Sequence, residues 1–171
     1  MSKSSWNRVV RSKNLVGFIV DGVPYAIDIQ RVREIIKPLP TLPIPRAPIA
    51  VVGVTDHRGD VVPVIDLRVR FGGVSRGDAP DQFWIVVKRA KRYAGLVVDQ
   101  VTEVFGAGIS QYREVPDIGL GARANAIVSV CTHRGNLVFV LDVDRITDLA
   151  EAIDLTALKS IQPQEVTNDG K

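Results

Sequence analysis

His57-Arg58-Gly59-Asp60-Val61-Val62-Pro63-Val64-Ile65-Asp66-Leu67 decides the reading of this chain, because the stretch returns as His133-Arg134-Gly135-Asn136-Leu137-Val138-Phe139-Val140-Leu141-Asp142-Val143, every counterpart 76 positions later. A second echo links Val32-Arg33-Glu34-Ile35 with Val101-Thr102-Glu103-Val104, 69 positions apart. A Tyr-Ala pair precedes each of these, Tyr25-Ala26 and Tyr93-Ala94, at an offset of 68. Echoes in the same order imply a duplicated unit of roughly 70–75 residues folded as two similar lobes. A cleft between lobes is a favoured binding place.

Working outward, Asp56 to Gly59 reads as a turn between an apolar strand, Ile49 to Thr55, and a returning strand, Asp60 to Ile65. Pro63 assigns the return to a position with one unneeded backbone donor, such as a sheet edge. Asp66 caps a short helix through Phe71 that Gly72-Gly73 closes. Upstream, Leu15 to Val20 and Val23 to Asp28 flank Asp21-Gly22, a strong hairpin signal. Ile29, Val32, Ile35 and Ile36 recur at helical spacing across Ile29 to Lys37. Lys37 to Pro48 holds Pro38, Pro40, Pro43, Pro45 and Pro48, which excludes a helix or central strand and predicts an extended connector. Downstream, Val74 to Asp81 is a polar connector, and Phe83 to Lys88 with Tyr93 to Val98 forms a hairpin. Gly106 to Arg123 is irregular. Ile127 to Thr132 and Leu137 to Leu141 flank the second His-Arg-Gly turn, and Asp142 caps a final helix from about Val143 through Leu158. Short strands at regular spacing point to an all-β chain of small barrels.

With 46% hydrophobic and 24% charged residues, the chain has a globular balance. Units of about 70 residues have marginal cores alone, so the lobes are expected to bury apolar surface against each other. The single cysteine, Cys131, excludes an internal disulfide framework and reads as a small buried hydrophobe. No run approaches the roughly 18 apolar residues of a membrane helix. Residues 1–13 read as a flexible basic arm, since Lys3, Arg8, Arg11 and Lys13 precede the first acid, Asp21. No apolar stretch follows the arm's positive charge, so it is not a secretory signal and the protein is expected in the cytoplasm. Residues 14–150 form the duplicated domain, and 151–171 the helix end and a polar tail.

Candidate chemistry is thin. His57 and His133 occupy equivalent turns, hence different lobes, so a shared metal or catalytic pair is excluded and they read as polar turn residues. Asp66 and Asp142 are likewise equivalent, and helix capping accounts for them. No nucleophile elbow, Cys-His pair or phosphate loop is present. No catalytic residue, metal or cofactor is therefore assigned, and the chain is expected not to be an enzyme. The net charge of +3 raises nucleic acid as an alternative partner for small barrels, but acids and bases are interspersed and aromatics sparse.

Tyr25-Ala26-Ile27-Asp28-Ile29-Gln30-Arg31-Val32-Arg33-Glu34-Ile35 resembles the opening signature of the CheW-like chemotaxis coupling proteins. Gly53-Val54-Thr55-Asp56-His57-Arg58-Gly59, followed by Val62 to Leu67, resembles their central signature, and Gly95-Leu96-Val97-Val98-Asp99-Gln100-Val101 a third. The order is the family's, and the likeness spans about residues 14 to 150. It departs at Asp56-His57, where the family usually carries Asn-Leu. The resemblance implies two SH3-like five-stranded barrels over a shared core, with short helices and a C-terminal helix. It implies a non-enzymatic scaffold that couples chemoreceptors to a CheA-type histidine kinase. Val16, Ile29 and Val32 map to an apolar patch that docks the kinase's regulatory domain. Val98, Val101 and Val104 map to a groove for the receptor's helical tip, with Arg58 at its edge. Glu34 and Arg58 map to an ion pair bracing the region. The residues themselves leave core packing open for Ile29, Val32 and the three groove valines, because spacing alone does not separate core from surface.

Overall fold

Among the described residues, eleven strands carry the fold: β1 (Asn14–Val20), β2 (Val23–Asp28), β3 (Val32–Ile36), β4 (Val51–His57), β5 (Asp60–Asp66), β6 (Phe83–Arg89), β7 (Arg92–Val98), β8 (Gln100–Gly106), β9 (Tyr112–Arg113), β10 (Ile127–His133) and β11 (Asn136–Leu141). Two single-turn helices among these residues, α1 (Leu67–Arg70) and α2 (Val143–Ile146), begin at the last residue of each copy of the repeated stretch. The computed structural model describes residues 14–108, 111–115, 119–123 and 125–153. The basic arm expected over residues 1–13 and the tail beyond Ile153 lie outside the described residues.

The strands make two sheets, β3-β6-β7-β5-β4 and β8-β1-β2-β11-β10-β9. The chain is mostly β with few short helices, and a pair of SH3-like barrels accommodates both strand orders. The copies are interleaved. The first hairpin, β1–β2, leaves its own copy and joins the second sheet, where β2 runs parallel to β11. The β6–β7 hairpin makes the reciprocal move, with β7 parallel to β5. Each lobe therefore contains strands from both copies, and neither copy closes a barrel alone.

Three turns show how sequence sets local geometry. The His-Arg-Gly turns hold positive φ at both central residues, Arg58 at 55° with Gly59 at 82°, and Arg134 at 49° with Gly135 at 78°. Such two-residue hairpins match strand twist and demand glycine or a tolerant residue. Asp21 and Gly22 do the same between β1 and β2. Asp66 Oδ1 accepts from the Arg68 and Val69 amides, and Asp142 Oδ1 from the Asp144 and Arg145 amides, so both aspartates cap single turns.

Some expectations are corrected. Only Ile29–Arg31 is helical after β2, as a 3-10 turn capped by Asp28, and Val32 onward pairs with β6 as strand. A bulge between Val32 and Glu34 breaks the alternation, which explains why the apolar spacing imitates a helix. β5 lies inside its sheet rather than at an edge. Pro63 is tolerated because Val54, opposite it, spends its amide and carbonyl on Leu42 at 2.9 and 2.8 Å. Pro63 thus occupies a non-hydrogen-bonded pair, and pairing with β7 begins one residue later, at Val64. The same contact makes Gly53 obligatory, since a Cβ there would collide with the Leu42 carbonyl. The last helix stops at Ile146. Thr147, at φ −97° and ψ 5°, ends it, and a 3-10 turn continues over Asp148–Ala152. Val143, Ile146, Ala150 and Ile153 are all buried, so this stretch turns its apolar residues inward through two short turns.

Apolar residues fill three regions. Val64, Trp84 and Val97 form the interior of the first lobe, and Leu15, Phe105, Cys131 and Val140 belong to that of the second. Between them lies the largest core, joining Phe18, Tyr25 and Ile27 of one sheet to Ile65, Ile85 and Leu96 of the other. Cys131 is fully buried, and burial pushes its thiol pKa up, which makes it inert.

Candidate functional site

β3 and β4 are opposite ends of the first sheet, yet their side chains meet. His57 Nε2 lies 2.8 Å from Glu34 Oε1, and Arg58 Nε lies 3.1 Å from the same oxygen while its Nη2 reaches Oε2 at 3.2 Å. This cluster stitches the curled sheet along its open seam. The second lobe repeats it: His133 Nε2 is 2.9 Å from Glu103 Oε1, and Arg134 Nη2 is 3.0 Å from Oε2. The hydrogen bond from His57, then the nearby Arg58 charge, holds the Glu34 carboxyl below its usual pKa despite an opposing desolvation. The hydrogen bond from His133, aided by Arg134, does the same for Glu103.

Reading the histidines simply as polar turn residues therefore missed their role at the seam. The signal was present in the sequence: glutamate, histidine and arginine all recur in both copies, and a solvated residue has no reason to recur with its partner. The unusual Asp56-His57 pair acquires a local explanation as well. Asp56 Oδ1 accepts from the Gly59 amide at 3.0 Å to set the turn, and His57 binds the seam.

A second pair of equivalent contacts ties each single-turn helix to a short connecting segment at the junction of the lobes. Arg68 on α1 bonds Asp99 through Nε and Nη2, both at 2.9 Å, and reaches Asp21 at 3.1 Å. Arg31 pairs with Asp144 on α2. Arg68 and Asp144 are 76 apart, and Arg31 and Asp99 are 68 apart, the offsets of the two halves of the repeat. The same joint is closed twice with the charges exchanged. Burial raises the Asp99 pKa, but the Arg68 and Asp21 hydrogen bonds and the Arg68 charge outweigh it and leave the carboxyl below its usual value.

The sequence-selected positions fall at different depths. Val16 is 2% exposed and Val98 1% exposed, and both point into the inter-lobe core. A side chain so covered offers no contact surface, so neither forms part of an exposed patch or groove. Ile29, Val32 and Val101 are half-buried against that core. Val104 is 55% exposed on β8, and the Arg58 side chain is 65% exposed above Glu34. Among the described residues, no group of three or more His, Cys, Asp or Glu side chains is placed to hold a metal ion. No helix among them is long and apolar enough to cross a membrane.

Interleaved barrels, a shared core and exposed apolar and cationic positions describe a docking scaffold. The chain belongs to the family of the CheW-like domain, which matches residues 14–151. It is 32% identical over 131 residues to a chemotaxis protein CheW of Helicobacter pylori, covering 77% of this chain and 79% of that one. It is 33% identical over 124 residues to protein FrzA of Myxococcus xanthus, covering 71% and 72%. The fold resembles the crystal structure of the scaffolding protein TtCheW from Thermoanaerobacter tengcongensis, with a TM-score of 0.72, 27% identity, and coverage of 80% and 93%. The protein is thus a coupling scaffold of chemotaxis or motility signalling, and the nucleic-acid alternative is not favoured.

Proposed function

We propose that this chain joins the cytoplasmic tip of a chemoreceptor to a CheA-type histidine kinase and performs no reaction of its own. The kinase's regulatory domain docks on the face around Ile29 and Val32. The receptor tip lies along a groove that includes Val101 and Val104, with Arg58 at its edge. Glu34 braces Arg58 from below. Val16 and Val98 shape these faces from the core rather than by contact. The observation that carries this reading is the family match running unbroken through both lobes, from residue 14 to 151. Partial exposure of the named apolar side chains supports it, since an apolar helix face seated in such a groove is a familiar recognition mode. This reading places the assembly in the cytoplasm. Holding them on one scaffold raises their effective concentration for each other.

The test is a titration of the purified chain against a receptor tip and the kinase's regulatory domain. Val104→Asp is expected to weaken tip binding by at least about tenfold and to spare the kinase, whereas Val32→Asp does the reverse. Equal melting midpoints confirm that each variant is folded. A wild-type chain that binds neither partner refutes the proposal.

A further inference from the structure

The two exchanged hairpins end in opposite chemistry. The β1–β2 tip is Asp21-Gly22, and its acid is consumed within the molecule by Arg68. The equivalent β6–β7 tip reads Lys88-Arg89-Ala90-Lys91-Arg92, four cations in five residues. Arg89 is tied to Glu151 at 3.4 Å, and Arg31 beside it is tied to Asp144, so the joint beneath this tip is already closed. Lys88, Lys91 and Arg92 are exposed, and none makes an ion pair among the described residues. The fold does not require them, because its other copy makes the same hairpin without a single basic residue at the tip. Ala90 stands at φ 45°, a conformation glycine or asparagine adopts more easily, so the turn is not optimised for itself.

The cations stand beside a concavity of ≈ 510 Å³ lined by Arg89, Ala90, Lys91, Arg92, Asp144 and Glu151. This place is continuous with the Ile29–Val32 face: the Arg31 guanidinium donates to the Lys88 carbonyl at 2.8 Å, and Val32 pairs with Val87. We propose that Lys88, Lys91 and Arg92 receive an acidic segment of the protein that docks on Ile29 and Val32. The inference rests on the kinase-docking reading above and adds the charge of the partner's surface. Asp144 and Glu151 within the same concavity oppose a continuous phosphate surface, membrane or nucleic acid, and suit a polypeptide of mixed charge. Unpaired cations at the rim of an apolar contact act chiefly on the rate of association and on its salt dependence.

The test compares Lys91→Glu/Arg92→Glu with Arg46→Glu/Arg113→Glu, an equal change of charge at exposed positions elsewhere. Association with the kinase's regulatory domain is followed at several salt concentrations. The tip variant is expected to associate about tenfold more slowly at low salt, with a flattened salt dependence. Its dissociation rate, melting midpoint and receptor-tip binding should match the wild type, and the control variant should associate as the wild type does. If the wild type does not bind the regulatory domain, the docking reading fails. If it binds and the two variants behave alike, only the tip assignment is overturned. Overturning also follows if the tip variant keeps wild-type kinase kinetics while losing binding to anionic phospholipid vesicles or to single-stranded DNA.

Discussion

The two seams share a plan and differ in reinforcement. In the first lobe Glu34 faces His57 and Arg58, and Arg33 adds a further ion pair to Asp60 at 3.3 Å while stacking over the Tyr93 ring. In the second lobe the positions of Arg33 and Asp60 are taken by Thr102 and Asn136. Both members of that extra pair are missing together. The His133 ring instead stacks on Phe105, with centroids 4.0 Å apart. The carboxylate and its two donors thus belong to closing the barrel, whereas the Arg33–Asp60 pair belongs to the first lobe alone. The exposed Arg58 stands on the more heavily braced seam.

This comparison can be broken most decisively at the core the lobes share. Phe18→Ala should cost about 3–5 kcal/mol, the usual penalty for emptying a buried aromatic site. It should also lower a single unfolding transition seen by calorimetry. Two separate transitions would show that the lobes fold independently despite their exchanged hairpins.

The seams come next. Glu34→Gln should lower the melting midpoint more than Glu103→Gln, because Glu34 sits in the denser cluster and is less exposed. Equal effects would erase the distinction between the lobes. The sign of the pH effect follows from the depressed carboxyl values. The unfolded chain takes up protons first, near about pH 4.3, so the seam stabilisation is present above that value. It is lost as pH falls through the lower folded values. An acid titration should therefore show a flatter loss of stability in the Glu34→Gln/Glu103→Gln variant than in the wild type.

The smallest effect sharpens the contrast. Installing the missing pair with Thr102→Arg/Asn136→Asp should add no more than about 0.5 kcal/mol, the scale of an exposed ion pair. Denaturant unfolding of the double variant against its two single variants measures it. A larger coupling would show that the second seam was held open for another purpose.

Much of the fold was legible in the sequence. The Asp-Gly and Arg-Gly turns, the two capping aspartates and the buried cysteine were read from local chemistry, and the repeat announced two lobes. The paired Glu-His-Arg clusters were legible in principle, since their members echo together, but each residue read singly looks like a solvated polar group. Val32 to Ile36 misled because a bulge gives a strand the apolar spacing of a helical turn. Val16 and Val98 illustrate a different limit. Alternation places them on one face of a strand, yet nothing local says that the face is sealed by the other lobe.

The duplication, its turns and its caps were determined by the sequence alone, because they depend on backbone preferences and on residues a few positions apart. The exchange of hairpins, the closing of each seam and the depth of each valine were decided only by tertiary structure. These depend on which distant strands pair, and hydrophobic burial carries no label naming the copy of the repeat that supplies the covering surface.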